Sequence, residues 1–150
     1  MPHIFDSPLL QWAVLLPGTF MHELAHYGFA LLLGGSPDTF SILPSWSNGS
    51  MSSLGHITYY PNWYNAATVG LAPLLVAPAG FWLCLVGARM GVIGNALTVW
   101  AAACSMYSCI PSDVDLQGAL AVPSSWPFAL IILLGCTWIW WKLIKKELFH

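Results

Sequence analysis

Four stretches of this chain are nearly free of charge, and each is about as long as the ~20-residue helix that crosses a bilayer. They run from Leu9 to Gly34, Ala66 to Gly87, Val92 to Ile110 and Trp126 to Ile144. Little polar material is left to coat a water-facing surface. Only 7% of the 150 residues are charged and 57% are hydrophobic, where a soluble domain carries about 25% charged residues. Four Lys and Arg cannot neutralise a run of phosphates, so nucleic acid is excluded as a partner. Disorder is excluded by the high apolar content and a net charge of only −2. No alternation of the length a membrane barrel needs is present, so the spans are expected to be helical. The expectation is an all-α membrane protein: one integral domain over residues 1–150, with four transmembrane helices at 9–34, 66–87, 92–110 and 126–144.

Arg89 falls between spans two and three, and Lys142, Lys145 and Lys146 fall at or beyond the end of span four. The positive-inside rule puts these sites in the cytoplasm, which predicts a multi-pass protein of the cell membrane with both termini cytoplasmic. The N-terminal apolar run lacks a basic leader and contains His22, Glu23 and His26, unlike a cleavable signal. Trp46, Tyr59, Tyr60, Trp63 and Tyr64 are expected as an outer aromatic belt, and Trp138, Trp140 and Trp141 as an inner one. Between spans one and two, Thr39–Leu43 and His56–Tyr60 are rich in β-formers and flank the turn-prone Ser47-Asn48-Gly49-Ser50. This pattern predicts a short β-hairpin.

Within the first span the chain reads His22-Glu23-Leu24-Ala25-His26, an H-E-x-x-H pattern. Residues four apart share a helix face, so both imidazoles can reach one metal ion, and Glu23 lies beside them as a general base for an attacking water. The chain has two Glu and five His in all, and three of these seven occupy this window. Ionisable groups at membrane depth are costly, about 2.5–3.5 kcal/mol each for Asp, Lys or Arg on insertion scales. Such a cluster calls for a ligand or a water-filled cavity. A single haem suits it poorly, because axial ligands approach from opposite sides. A catalytic zinc takes three protein ligands and keeps a position open. Beyond Glu23 the acidic residues are Asp6 and Glu147 at the expected cytoplasmic ends, Asp38 in the long outer segment, and Asp113 and Asp115 just after span three, in Pro111-Ser112-Asp113-Val114-Asp115-Leu116. Asp113 and Asp115 also suit the start of a helix, with Ser112 and Asp115 spaced as a capping box.

The pattern of an H-E-x-x-H in the first core span and an aspartate near a proline after the third resembles the site-2 protease family of intramembrane zinc metalloproteases. Gly55-His56-Ile57 and Leu71-Ala72-Pro73-Leu74 extend the likeness, which covers about residues 17–118. The family's usual Leu-Asp-Gly is absent, and Pro-Ser-Asp-Val-Asp stands in its place. Asp113 matches the common Pro-x-Asp spacing and Asp115 the spacing of divergent small members, toward which the second span also leans.

The resemblance implies a Zn²⁺ cofactor held by His22, His26 and Asp113 or Asp115, with Glu23 as the catalytic base. It also implies a membrane-protein substrate whose unwound segment pairs with the hairpin. A membrane zinc hydrolase of a lipid amide or ester remains open on the same chemistry, as does a non-catalytic metal-binding subunit. A regulatory membrane partner or a second copy of the chain is a further expected contact, besides the bilayer. His56 is either a substrate contact, a substitute ligand or a plain hairpin residue. Cys84, Cys104, Cys109 and Cys136 read as small buried hydrophobes. Depth poses a difficulty. His26 lies ~12 Å before the end of span one at about 1.5 Å per residue, while both aspartates follow the end of span three. Either the first helix projects outward or the Pro111 turn dips inward.

Overall fold

The computed structural model describes residues 7–47 and 50–149; His3, Asp6, His150 and the Asn48-Gly49 part of the expected turn lie outside them. The protein is mostly helical with a small sheet. Helix α1 (Pro8–Leu32) starts with proline at its first position, where the missing N–H costs nothing, and passes through Pro17 without interruption. It closes in a turn at Gly34, whose φ of 65° suits glycine, and Gly35 N–H donates to Ala30 O at 2.7 Å.

Helix α2 (Ala66–Leu71) continues through a 3-10 turn, Ala72–Leu75, into α3 (Val76–Gly87). Pro73 sits in that turn, where it cannot complete an α-helical bond. Helix α4 (Val92–Tyr107) stops short of the expected boundary at Ile110. A second helix, α5 (Asp113–Leu120), begins beyond Pro111. After a turn at Pro123–Ser125 comes α6 (Trp126–Leu148). Ala66–Gly87 and Pro123–Leu148 are long and apolar enough to cross a membrane, with mean hydropathies of 2.1 and 1.7; Val92–Tyr107 is a shorter apolar helix.

Side-chain contacts fix the directions of these rods. Trp100 Nε1–H donates to Val14 O at 3.0 Å, and His22 meets Ser108, so α4 runs parallel to α1. Gly87 faces Thr98 and Gly80 faces Ser105, so α3 runs antiparallel to α4. Ala67 N–H donates to Ser125 Oγ at 2.9 Å, Trp82 lies 6.2 Å from Trp140, and Arg89 pairs with Glu147 at 2.6 Å. Helix α6 therefore lies parallel to α2–α3 along its whole length. Small residues make these approaches possible, as is common where helices pack without a hydrophobic drive between them. Ala67, Ala119 and Ala129 form a buried cluster under Leu71 and Trp126.

Strand β1 (Thr39–Ser41) pairs antiparallel with β4 (His56–Thr58), placing Phe40 opposite Ile57. An inner ladder joins β2 (Ser45–Ser47) to β3 (Ser50–Ser53). The expected hairpin is thus present, with outer strands shortened to three residues each. It folds back along α1 instead of projecting away from it. Phe40 packs edge-on against Tyr27 and Phe20 at 5.5 and 6.3 Å, and Trp12 Nε1–H donates to Ile42 O at 2.8 Å.

Candidate metal centre

Near the middle of α1, His22 and His26 project one turn apart onto one face, with their rings edge-to-face at 4.8 Å. Each imidazole is held by a backbone carbonyl of a different helix. His22 Nδ1–H donates to Ser108 O at 2.6 Å, and His26 Nδ1–H donates to Val69 O at 2.7 Å. Both carbonyls are available because a helix is interrupted beside them. Val69 O accepts the Ala72 N–H of the 3-10 turn, and Pro73 has no N–H to bond it from four residues ahead, which leaves its second lone pair to His26. Ser108 lies past the end of α4, and the N–H four residues on, from Ser112, donates instead to Asp115 Oδ2 at 2.7 Å.

With both Nδ1 protons committed, both Nε2 atoms are acceptors, and they face each other at 3.1 Å. Asp115 completes the group. Its Oδ1 lies 3.2 Å from His26 Nε2 and its Oδ2 lies 3.4 Å from His22 Nε2. Asp115 also caps α5: Ser112 Oγ donates to Oδ2 at 2.7 Å, and Asp115 N–H donates to Ser112 Oγ at 3.2 Å. One carboxylate therefore both caps the helix and joins the two histidines. Asp113, on the exposed side of the same turn, is not part of the cluster. Helix α5 reaches the site because Gly70 of α2 lets it approach; a Cβ there would stand 2.6 Å from Asp115 O.

The donor chemistry fits zinc. Ligands at about 2.0–2.2 Å in a tetrahedron stand roughly 3.3–3.6 Å apart; here the two Nε2 atoms are 3.1 Å apart, His26 Nε2 is 3.2 Å from Asp115 Oδ1 and His22 Nε2 is 3.4 Å from Oδ2, and one ligand atom from each residue falls within 4.8 Å of the others. Two imidazole Nε2 atoms and a carboxylate are the donor set that a His₂Asp site would use. The two carbonyls fix the imidazoles from behind, as outer partners of zinc ligands commonly do. Two Nε2 lone pairs at contact distance repel each other unless a cation or a proton lies between them.

Glu23 is adjacent to the pair and 8% exposed. The segment between β3 and β4 covers it. A Cβ on Gly55 would fall 2.9 Å from Glu23 Cγ and 3.0 Å from Ser41 O, so this position is restricted to glycine by close approach. A cavity of about 750 Å³ opens onto Glu23, the three candidate ligands and the β4 segment. His56 stands on its rim within electrostatic reach of Glu23, outside the ligand cluster. Tyr59, one of the aromatics expected in the outer belt, lines this cavity. The carbonyls of Ser108 and Val69 carry no side-chain signature; the only sequence signals for them are the prolines downstream. The four cysteines are free and stand apart from the cluster.

The separation along the chain between His26 and the aspartates is closed by a break in the helix. The chain breaks between Tyr107 and Asp113, level with His22, so the turn at Pro111 comes in to the middle of α1. Comparison with family models, curated proteins and solved structures returns no match to this chain.

Proposed function

We propose that this chain is an intramembrane zinc metalloprotease that hydrolyses a peptide bond of a membrane-embedded substrate. One observation carries the proposal. Two imidazoles with their Nδ1 protons committed turn both Nε2 lone pairs toward each other and toward Asp115, with an enclosed glutamate alongside.

Four crossings of the bilayer account for the surface. Only 6% of the apolar window of α6 is buried, and Ile131 and Leu134 are 71% and 69% exposed. An apolar surface of that extent calls for an apolar surround. In this reading α1, α2–α3, α4 with α5, and α6 cross in turn, and the third crossing is a broken helix. Broken helices at membrane depth are tolerated where they line a cavity, and this one does. Arg89 and Glu147 then lie at the cytoplasmic end with the three lysines.

His22, His26 and Asp115 would hold the ion. Zinc there supplies a Lewis acid that activates water near neutral pH and polarises a carbonyl. Glu23 takes the proton of the attacking water and passes it to the leaving amine as the C–N bond breaks. A peptide is favoured over a lipid amide or ester by the sheet edge beside the cavity. Among the described residues β4 pairs with β1 alone, which leaves its other edge without a strand partner and suited to an extended segment.

Zinc stoichiometry of the purified full-length protein, with native and Glu23→Gln chains compared in membranes, tests this. The expected result is about one zinc in both proteins and membrane-peptide cleavage in the native one only. Metal-free protein, or cleavage by Glu23→Gln, would refute it. Turnover of lipids and no peptides would transfer the same site to lipid hydrolysis.

A further inference from the structure

Peptide hydrolysis builds negative charge on the carbonyl oxygen, and fixed donors aimed at that oxygen are usually the largest catalytic contribution a protein makes. The cavity holds a hydroxyl suited to this. Tyr59 directly follows β4, and backbone bonds pin the chain on both sides of it. Asp38 N–H donates to Thr58 O at 2.9 Å, and Tyr60 N–H donates to Gly35 O at 2.7 Å. Its ring lies against Gly35, where a Cβ would stand 3.3 Å from Tyr59 Cδ2. The phenol is thus carried by the same turn that closes α1, the helix bearing His22 and His26.

Tyr59 is half-buried, lines the cavity shared by Glu23 and the candidate ligands, and lies within electrostatic reach of Asp115. Its hydroxyl makes no hydrogen bond among the described residues and is not an enclosed atom, so it is available to a ligand in the cavity. The neighbouring candidate, His56, is less suited. Alternation along the strand puts His56 and Thr58 on the exposed face and Ile57 and Tyr59 on the more buried one.

We propose that Tyr59 is a catalytic residue, donating its hydroxyl hydrogen bond to the scissile carbonyl oxygen as that oxygen becomes anionic. The inference rests on the protease reading above. The phenol keeps its proton throughout. Water adds to the carbonyl carbon, Glu23 carries the proton to the nitrogen as the C–N bond breaks, and Tyr59 releases the product carboxylate.

The test titrates zinc-loaded, full-length protein in detergent with a phosphinic peptide, whose tetrahedral anionic oxygens mimic the oxyanion. Native, Tyr59→Phe and His56→Gln proteins are compared for phosphinate affinity, zinc content and melting temperature. In Tyr59→Phe, phosphinate affinity should fall about 10- to 100-fold, the range expected for one hydrogen bond to a charged group. Zinc content and melting temperature should hold, and His56→Gln should bind as the native chain does. Equal affinity in native and Tyr59→Phe proteins, or a loss seen in His56→Gln instead, overturns the assignment and leaves the protease reading standing. A zinc-loaded native chain that binds no phosphinate, or a Glu23→Gln chain that still cleaves, brings down both.

Discussion

His26 Nδ1–H donates to the carbonyl oxygen of Val69 at 2.7 Å, joining the His22–His26 face of α1 to the one place where the second rod departs from α-helical winding. That carbonyl already accepts the Ala72 N–H, and its second lone pair is left to His26 because Pro73, four residues on, has no N–H to offer it. A proline in a neighbouring helix thereby sets the tautomer of a candidate ligand.

Replacing Pro73 with Ala restores the missing N–H and lets the helix compete for Val69 O. Zinc affinity, measured against a competing chelator, should fall about 10- to 100-fold, the usual cost of losing an outer partner of a ligand. Far-UV circular dichroism should stay the same or gain helix. Unchanged affinity would show that the carbonyl does not orient His26.

Asp115 and Asp113 should separate cleanly. Asp115→Asn removes the anionic ligand while leaving an oxygen that can still cap α5, so the protein should fold and lose its zinc. Asp113→Asn, at an exposed position outside the cluster, should retain both. Ser112→Ala should cost about 1 kcal/mol of stability through the lost cap, read as a lower melting temperature. Equal zinc loss in the two aspartate variants would overturn the assignment of Asp115.

Gly55→Ala brings a methyl group to 2.9 Å from Glu23 Cγ and 3.0 Å from Ser41 O. Either the turn lifts or Glu23 shifts. Activity should drop about tenfold to a hundredfold, in line with a displacement of about 1 Å at a reacting group. Zinc content should stay near that of the native protein, since His22, His26 and Asp115 are untouched. Zinc loss in step with activity would mean that Gly55 supports the whole site rather than Glu23.

Chelation should loosen the break between α4 and α5. A metal that binds only the folded chain stabilises it by about 2.7 kcal/mol at a hundred times its dissociation constant. Removal should lower the melting temperature and speed amide exchange around Ser108–Asp115, where the site draws three helices together. Exchange in α6, which contributes no ligand, should change little.

The local parts of the site were legible in the sequence because helical periodicity is a short-range rule. Spacing His22 and His26 four apart puts them on one face of any α-helix, with Glu23 beside them, whatever the rest of the chain does. The hairpin strands were legible in the same way, from β-forming residues on either side of a turn.

Which aspartate joins the histidines was decided by tertiary structure. Ser112 and Asp115 carry a capping pattern in the sequence, but only the approach of α5 over Gly70 brings that cap to the imidazoles. Span three read as continuous to Ile110, since apolar composition does not record where a helix stops when both sides of the stop are apolar. Tyr59 read as a belt aromatic because the direction a hairpin takes depends on what it packs against. Here Phe40 meets Phe20 and Tyr27, and the strand is laid back over α1. Spacing along one element is fixed by covalent geometry and is written in the chain. The meeting of Ser108, Val69 and Asp115 around two histidines depends on how helices distant in sequence pack, and only the folded structure contains it.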